Sequence, residues 1–276
     1  MSDALIRAAR FHGAVTTERF ATEGEYCLYL MHRRAYLEAR ALAAGKRVLD
    51  LGCNVGYGTE LLSETASQVV GVDLSPAVVA AARKRVHAPN VEFRLLPDPR
   101  LPFPDGSFEL VASFQVIEHV PEPASYLAEI RRVLVPGGHA IFTTPNAAIR
   151  IDPGMTPWNV DHVKEYRARE LEPLLRRYFS DVSLKGLFAS EPLHSVEVAR
   201  CAAARAKARK KVRAWVSRRA RIALGANRVD QLRGLANALR RIERRAPDLT
   251  RFSIEDIFYR TESLDESLDL LAVCRV

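Results

Sequence analysis

Hydrophobic positions along the chain fall into two alternating periods. Short β-branched runs read as buried strands: "RVLDLG" (47–52), "VVGVDL" (69–74), "LVASFQ" (110–115), "AIFTTP" (140–145) and a weaker "VEFRLL" (91–96). Between them, "GYGTELLSETA", "SPAVVAAARKRV" and "EPASYLAEIRRVLVPGG" place apolar residues at helical spacing. Ser75-Pro76 offers an N-cap followed by a first-turn proline, and "VPGG" reads as a glycine stop before the next strand. The pattern continues with a helix over 168–178, a strand over 182–187 and a closing strand in "LDLLAVCRV". Strand–helix alternation of this kind predicts a doubly wound α/β fold, Rossmann-like, with a mostly parallel seven-stranded sheet.

Two segments stand outside the alternation. Residues 1–45, with "GEYCLYLMHRRAYLEARAL" at helical spacing, predict an N-terminal helical lid carrying Tyr26, Tyr29 and His32. Residues 46–189 form the core, 190–266 a helical insertion, and 267–276 the final core strand. The insertion has apolar spacing at Val212, Trp215, Val216 and Ile222, then at Val229, Leu232, Leu235, Leu239 and Ile242. Gly225-Ala226-Asn227 separates the two sets, predicting two amphipathic helices.

Charge sharpens this division. Of a net +8, residues 199–245 carry +14, from sixteen Lys/Arg against Asp230 and Glu243, which leaves −6 for the rest. A basic helical pair on an acidic body admits three uses: a cap over an acceptor pocket, a nucleic-acid clamp, or contact with an anionic membrane. The 276-residue length and 48% apolar content support a substantial core. The start "MSDALIRAARFHG" has no apolar h-region and no long apolar run follows, so the expectation is a cytoplasmic protein, peripheral to the inner membrane face at most. Four scattered cysteines without a C-x-x-C pair read as reduced thiols. The acids Asp152 and Asp161 read as solvated loop residues, and no metal is expected.

The stretch "VLDLGCNVGYGT" (48–59) runs from a strand into a glycine-spaced turn. A P-loop needs Gly-Lys-Ser/Thr, whereas this turn reads Gly56-Tyr57-Gly58-Thr59. A dinucleotide fingerprint needs G-x-G-x-x-G, and the spacing here is G-x-x-x-G-x-G. Asp50 ahead of the first glycine would repel a pyrophosphate but suits a cationic ligand without phosphate. Asp73 lies 21 residues beyond Gly52, a spacing suited to recognising a ribose diol.

This stretch resembles the first motif of the class I S-adenosylmethionine-dependent methyltransferases, D/E-x-G-x-G-x-G, with Asn54 at the middle glycine. Asn tolerates the left-handed backbone better than other non-glycine residues, and Gly58 adds further freedom. The run "RLPFPDGSFELVASFQVIEHVPEP" resembles the same family over more than twenty positions. The resemblance implies S-adenosyl-L-methionine as cofactor, held by Asp50, Gly52, Cys53, Asn54, Gly56, Asp73, Leu74, Gln115 and Val116. Asp98 is one place from the position where relatives contact adenine and stands in for that acid. The resemblance also places Glu118 and His119 beside the reacting methyl, with His119 or His162 as the base for a hydroxyl acceptor.

The expected activity is O-methylation of a sugar, glycan or lipid-linked intermediate, as in bacterial methyltransferases of a type 11-like branch. An RNA methyltransferase and a non-catalytic, membrane-associated binder of the same cofactor are the alternatives.

Overall fold

A computed structural model describes residues 20–98, 100–223 and 247–276, with the side chains of 210–223 outside the description. Eight strands build one sheet: β1 (Arg47–Leu51), β2 (Gln68–Asp73), β3 (Val91–Leu95), β4 (Phe108–Phe114), β5 (Leu134–Pro145), β6 (Asp181–Ala189), β7 (Ile257–Arg260) and β8 (Asp269–Arg275). Their order is β3-β2-β1-β4-β5-β8-β6-β7. The first five pair in parallel, and β8 enters antiparallel between β5 and β6.

The helices named here are α1 (Glu23–Ala43), α2 (Tyr57–Ser63), α3 (Pro76–Arg85), α4 (Pro123–Val133), α5 (Ala147–Arg150), α6 (Ala168–Leu175) and α7 (Leu193–Ala223). Local chemistry starts them where it should. The Thr22 hydroxyl accepts from the Glu25 N–H to cap α1, and Ser75 accepts from Val78 with Pro76 in the first turn of α3.

Period-two burial then sets the layers. Leu49, Val111, Phe142 and Ala272 face α4 and α6, packing on Leu127, Ile130, Leu171 and Leu175. Their neighbours Val48, Leu110, Ile141 and Leu271 face the other way, against Tyr36 and Ala39 of α1 and Leu62 of α2. Each such aliphatic side chain, fully buried, contributes about 1.5–3 kcal/mol of hydrophobic stabilisation before chain entropy is counted. A third cluster joins Cys27, Leu30 and Met31 of α1 to Leu187, Leu193, Phe252 and Ile257, so the lid helix rests on the far half of the sheet as well.

Three expectations change. The sheet has eight strands rather than seven, because "IFYR" in the supposed insertion pairs antiparallel with β6, from Gly186 opposite Arg260 to Ala189 opposite Ile257. A four-residue run is too short to show a period. The "VPGG" glycines do not stop a helix: α4 ends at Val133, and Gly137 (φ +75°) lies within β5 beside a register shift between Phe108 and Leu110. Of the two amphipathic helices, the first is part of α7, and the Val229–Ile242 set lies outside the described residues.

The sheet order reverses between β1 and β4, which places the ligand crevice at their carboxyl ends. Among the described residues no helix is long and apolar enough to cross a membrane. Phe142, 1% exposed at the centre of the sheet, gives a direct test of this core. Phe142→Ala is expected to lower unfolding free energy by about 3–5 kcal/mol, read as the shift in a urea transition.

Candidate active site

The loop after β1 turns over the end of β2. Amides of Gly52 and Cys53 both donate to the Val72 carbonyl, at 2.8 and 3.0 Å. Gly52, Asn54 and Gly56 take φ of +87°, +47° and +82°, so Asn54 adopts the left-handed backbone expected at the motif's middle position. Close approach adds a second demand on Gly52, where a Cβ would stand 2.6 Å from Val116 Cγ2. Gly58 serves differently from the expectation that it adds freedom: a Cβ there would meet the Tyr36 ring at 2.0 Å.

Tyr36 explains where Asp50 goes. The carboxylate is fully buried, accepting from Tyr36 OH at 3.2 Å and Thr59 Oγ1 at 2.6 Å. It braces the loop from beneath and ties α1 to β1 and α2. Burial raises its pKa to about 7, against the lowering effect of the two hydroxyls. Tyr36 also stacks edge-on against Phe114 at 4.7 Å and Tyr57 at 5.5 Å. Tyr26 and Tyr29, expected on the lid, stack on each other at 6.2 Å, and Tyr29 also meets Tyr57. Desolvation lowers the pKa of the half-buried His32 to about 4.

Asp73 ends β2 half-buried, with Oδ2 accepting from the Asn54 N–H at 3.1 Å and Oδ1 from the Ser75 N–H at 2.9 Å. A carboxylate has about four acceptor positions, and these two bonds use two of them. Cys53 is buried beneath the loop, and burial pushes its thiol up. Leu74 packs on the core cluster. Asp98 is exposed and accepts from the Arg100 N–H at 2.9 Å, capping its own turn.

At the end of β4, Gln115 takes φ +55° and its Nε2 donates to Thr143 Oγ1 and Asp269 Oδ2, at 3.3 and 3.0 Å. Val116 follows against Gly52, and the chain turns through a short helix, Ile117–His119. Glu118 points inward, 1% exposed, and Oε2 accepts from Thr144 Oγ1 at 3.1 Å. Its Oε1 has no hydrogen-bond partner among the described residues, and burial lifts its pKa to about 8.

The Glu118 carbonyl accepts from the Val163 and Lys164 amides, pinning the loop that carries His162. The rings of His119 and His162 meet edge-on at 4.7 Å, so the two histidines singled out in the sequence are brought together. His119 Nδ1 lies 2.8 Å from the Asp161 carbonyl, and His162 Nδ1 lies 2.7 Å from Glu165 Oε1. Glu165 is in turn held by Arg150 through two bonds of 3.1 Å, and Arg150 stacks over Trp158 at 4.3 Å. Burial raises the Glu165 pKa, but His162 and Arg150 outweigh it and hold the carboxyl below its usual range.

Tyr36, Thr59, Glu165 and Arg150 were not identified from the sequence. Glu118, His119 and His162 also form a group whose ligand atoms all lie within 4.8 Å of one another, where no metal set was expected. The acids Asp152 and Asp161 do not form one: Asp152 pairs with Arg209, and Asp161 contributes its carbonyl to His119.

Residues 49–142 match the methyltransferase domain family. A Mycolicibacterium smegmatis protein named "Probable S-adenosylmethionine-dependent methyltransferase" is 38% identical over 174 residues, 63% of this chain and 66% of that one. Residues 49–142 are thus similar to class I methyltransferase domains. A ubiquinone biosynthesis O-methyltransferase of Nitrosococcus oceani is 37% identical over 119 residues, 41% of this chain and half of its own length. The chain therefore spans under two thirds of these relatives. An S-adenosylmethionine-dependent methyltransferase from Mesorhizobium loti shares the fold at TM-score 0.50 and 19% identity, covering 88% of this chain and 98% of its own. The [4+2]-cyclase SpnF does so at 0.53 and 21%, covering 99% and 92%.

The cofactor of this domain family is S-adenosyl-L-methionine, and the loop fits it. Gly52, whose Cβ would collide with Val116, lets the loop close on the end of β4, and the strand-end group at its rim is the acid Asp73 rather than a cation suited to phosphate.

The burial account of Asp50 has a measurable sign. Its folded pKa near 7 lies above the unfolded 3.8, so the folded state holds an extra proton between those values and this residue's contribution falls as pH rises through that window. The stability difference between wild type and Asp50→Asn should shift by about 1–4 kcal/mol in favour of the variant from pH 4 to pH 8. Urea titrations at both pH values check it, and a difference that stays flat contradicts the account.

Proposed function

We propose that the protein transfers a methyl group from S-adenosyl-L-methionine to a hydroxyl oxygen of a sugar, glycan or lipid-linked acceptor. The observation that carries this reading is the adjacency of two groups at the carboxyl edge: the glycine loop with Asp73, and, one turn past Val116, the convergent Glu118, His119 and His162. The cofactor, when bound, supplies a methyl on a sulfonium, and a C–O bond forms as C–S breaks with its electron pair left on sulfur.

The chain's own residues divide the remaining work. Asp73 binds the ribose hydroxyls, and Gly52, Asn54 and Gly56 shape the backbone that receives the ligand. Asp50 contributes through its hold on Tyr36 and Thr59. Gln115 and Val116 line the crevice at the end of β4. The histidine cluster orients the acceptor hydroxyl and receives its proton. Oxygen is favoured as acceptor because a proton must be removed before attack and the cluster offers imidazole and carboxylate for it. The N. oceani relative, named as an O-methyltransferase of ubiquinone biosynthesis, supports the same choice.

The described part of the basic segment favours a cap over a nucleic-acid clamp. Arg205 donates to the Ile149 carbonyl at 2.5 Å, Arg209 pairs with Asp152, and Arg200 with Glu197. These cations are turned onto the protein, beside the Arg150–Trp158 stack that borders the histidine cluster.

Calorimetry and single-turnover kinetics separate the two halves of the site. Asp73→Ala should weaken donor binding by at least about tenfold, the value of a charge-assisted hydrogen bond. His119→Ala and His162→Ala should leave donor affinity within about threefold and lower methyl transfer by about 10²-fold or more. Wild-type protein that takes up no donor would refute the reading outright.

A further inference from the structure

We infer that Glu118, His119 and His162 bind a divalent transition-metal ion, of the zinc, iron(II) or manganese class, with coordination positions left open toward the acceptor. Three observations carry this. One carboxylate oxygen and one nitrogen from each histidine already lie within 4.8 Å of one another. Donors on a single zinc-like ion at bonds of about 2.0–2.2 Å stand about 3–3.5 Å apart, so side-chain adjustments of about 1 Å close the set.

The carboxylate supplies the second. Glu118 is 1% exposed, and its Oε1 lies 4.0 Å from His119 Nε2 without a hydrogen-bond partner among the described residues. A buried carboxylate oxygen left so is costly, and a cation on that side offsets the cost.

The third is the tautomer chemistry of the imidazoles. A carbonyl and a carboxylate can only accept, so both Nδ1 atoms donate, His119 to Asp161 O and His162 to Glu165 Oε1. In the neutral rings the lone pairs then belong to the Nε2 atoms, the arrangement that outer carboxylates and carbonyls enforce on metal-binding histidines. Glu165 does this while locked by Arg150. Two imidazoles with one carboxylate favour a borderline transition ion over magnesium or calcium, which prefer all-oxygen sets.

The binding stands on these residues alone, whereas its role rests on the methyltransferase reading. With the ion bound, the Nε2 lone pairs are committed to it and the histidines no longer take the proton themselves; an acceptor hydroxyl at an open position would instead have its pKa lowered, its proton passing to solvent before the oxygen attacks the methyl.

The test uses the full chain stripped with a chelator and titrated with Co²⁺ as the probe. The expected result is one saturable Co²⁺ per chain with visible d–d bands that Zn²⁺ abolishes. Glu118→Gln and His162→Gln should each weaken binding by at least about tenfold, and Glu165→Gln by about 10–100-fold through the lost outer contact. His194→Ala, at a partly exposed position paired with Glu191, should change nothing. Far-UV circular dichroism screens the variants for folding, and if Glu118→Gln fails that screen the two other site variants decide. No saturable Co²⁺, or binding unchanged in the folded site variants, overturns the inference. Donor heat without cobalt bands removes the metal and keeps the methyltransferase, while cobalt bands without donor heat do the reverse.

Discussion

The structure depends most on the buried carboxylate of Asp50. A fully enclosed carboxyl group requires donors, and it finds them in Tyr36 of α1 and Thr59 of α2. Those two contacts fix where the lid helix crosses the sheet. Once Tyr36 is fixed, its ring leaves no room for a Cβ at residue 58 and lies edge-on to Phe114, the residue before Gln115. Lid, glycine loop and the end of β4 are thereby one mechanical unit, held by a group whose local sequence, an acid before a glycine, suggests only ligand binding.

That difference marks how far the chain can be read before its fold is known. The strands β1, β2, β4 and β5 were legible because each carries an apolar run buried on both faces, β3 more weakly because only Phe93 of it is buried, and the first turn of α3 because Ser75-Pro76 is local chemistry. β7 was not legible: four residues show no period, and its partner β6 lies some 70 residues earlier in the chain. The glycines of "VPGG" misled for a related reason. Gly137 does adopt a left-handed backbone, but inside a bulged strand, and composition does not distinguish that from a helix stop.

The site divides along the same line. Gly52, Asn54, Gly56, Asp73, Gln115 and Val116 could be proposed together because the loop and the strand end are contiguous in sequence. Asp98 was placed by counting along the chain, and the structure has its carboxylate capping a turn at Arg100. His119 and His162 could each be named but not joined, since their contact needs the Glu118 carbonyl to hold the amides of Val163 and Lys164. Glu165 and Arg150 were invisible because a buried ion pair has no signature apart from the surroundings that bury it.

Fold similarity leaves the chemistry open: a methyltransferase and a cyclase share this architecture with the chain at nearly equal TM-scores, 0.50 and 0.53. The discriminating information is in the side chains past β4. A site that only held the donor would have no need to bury Glu118 with one oxygen unmatched, nor to brace His162 with a carboxylate that itself requires Arg150. Burying four such groups together costs several kcal/mol of desolvation, and simple apolar packing would fill the same volume at lower cost. Retaining them supports the proposed chemistry at an acceptor, where oriented imidazole and buried carboxyl groups act on a proton or a cation. The glycine loop then accounts for what binds, and the cluster for what is done to it.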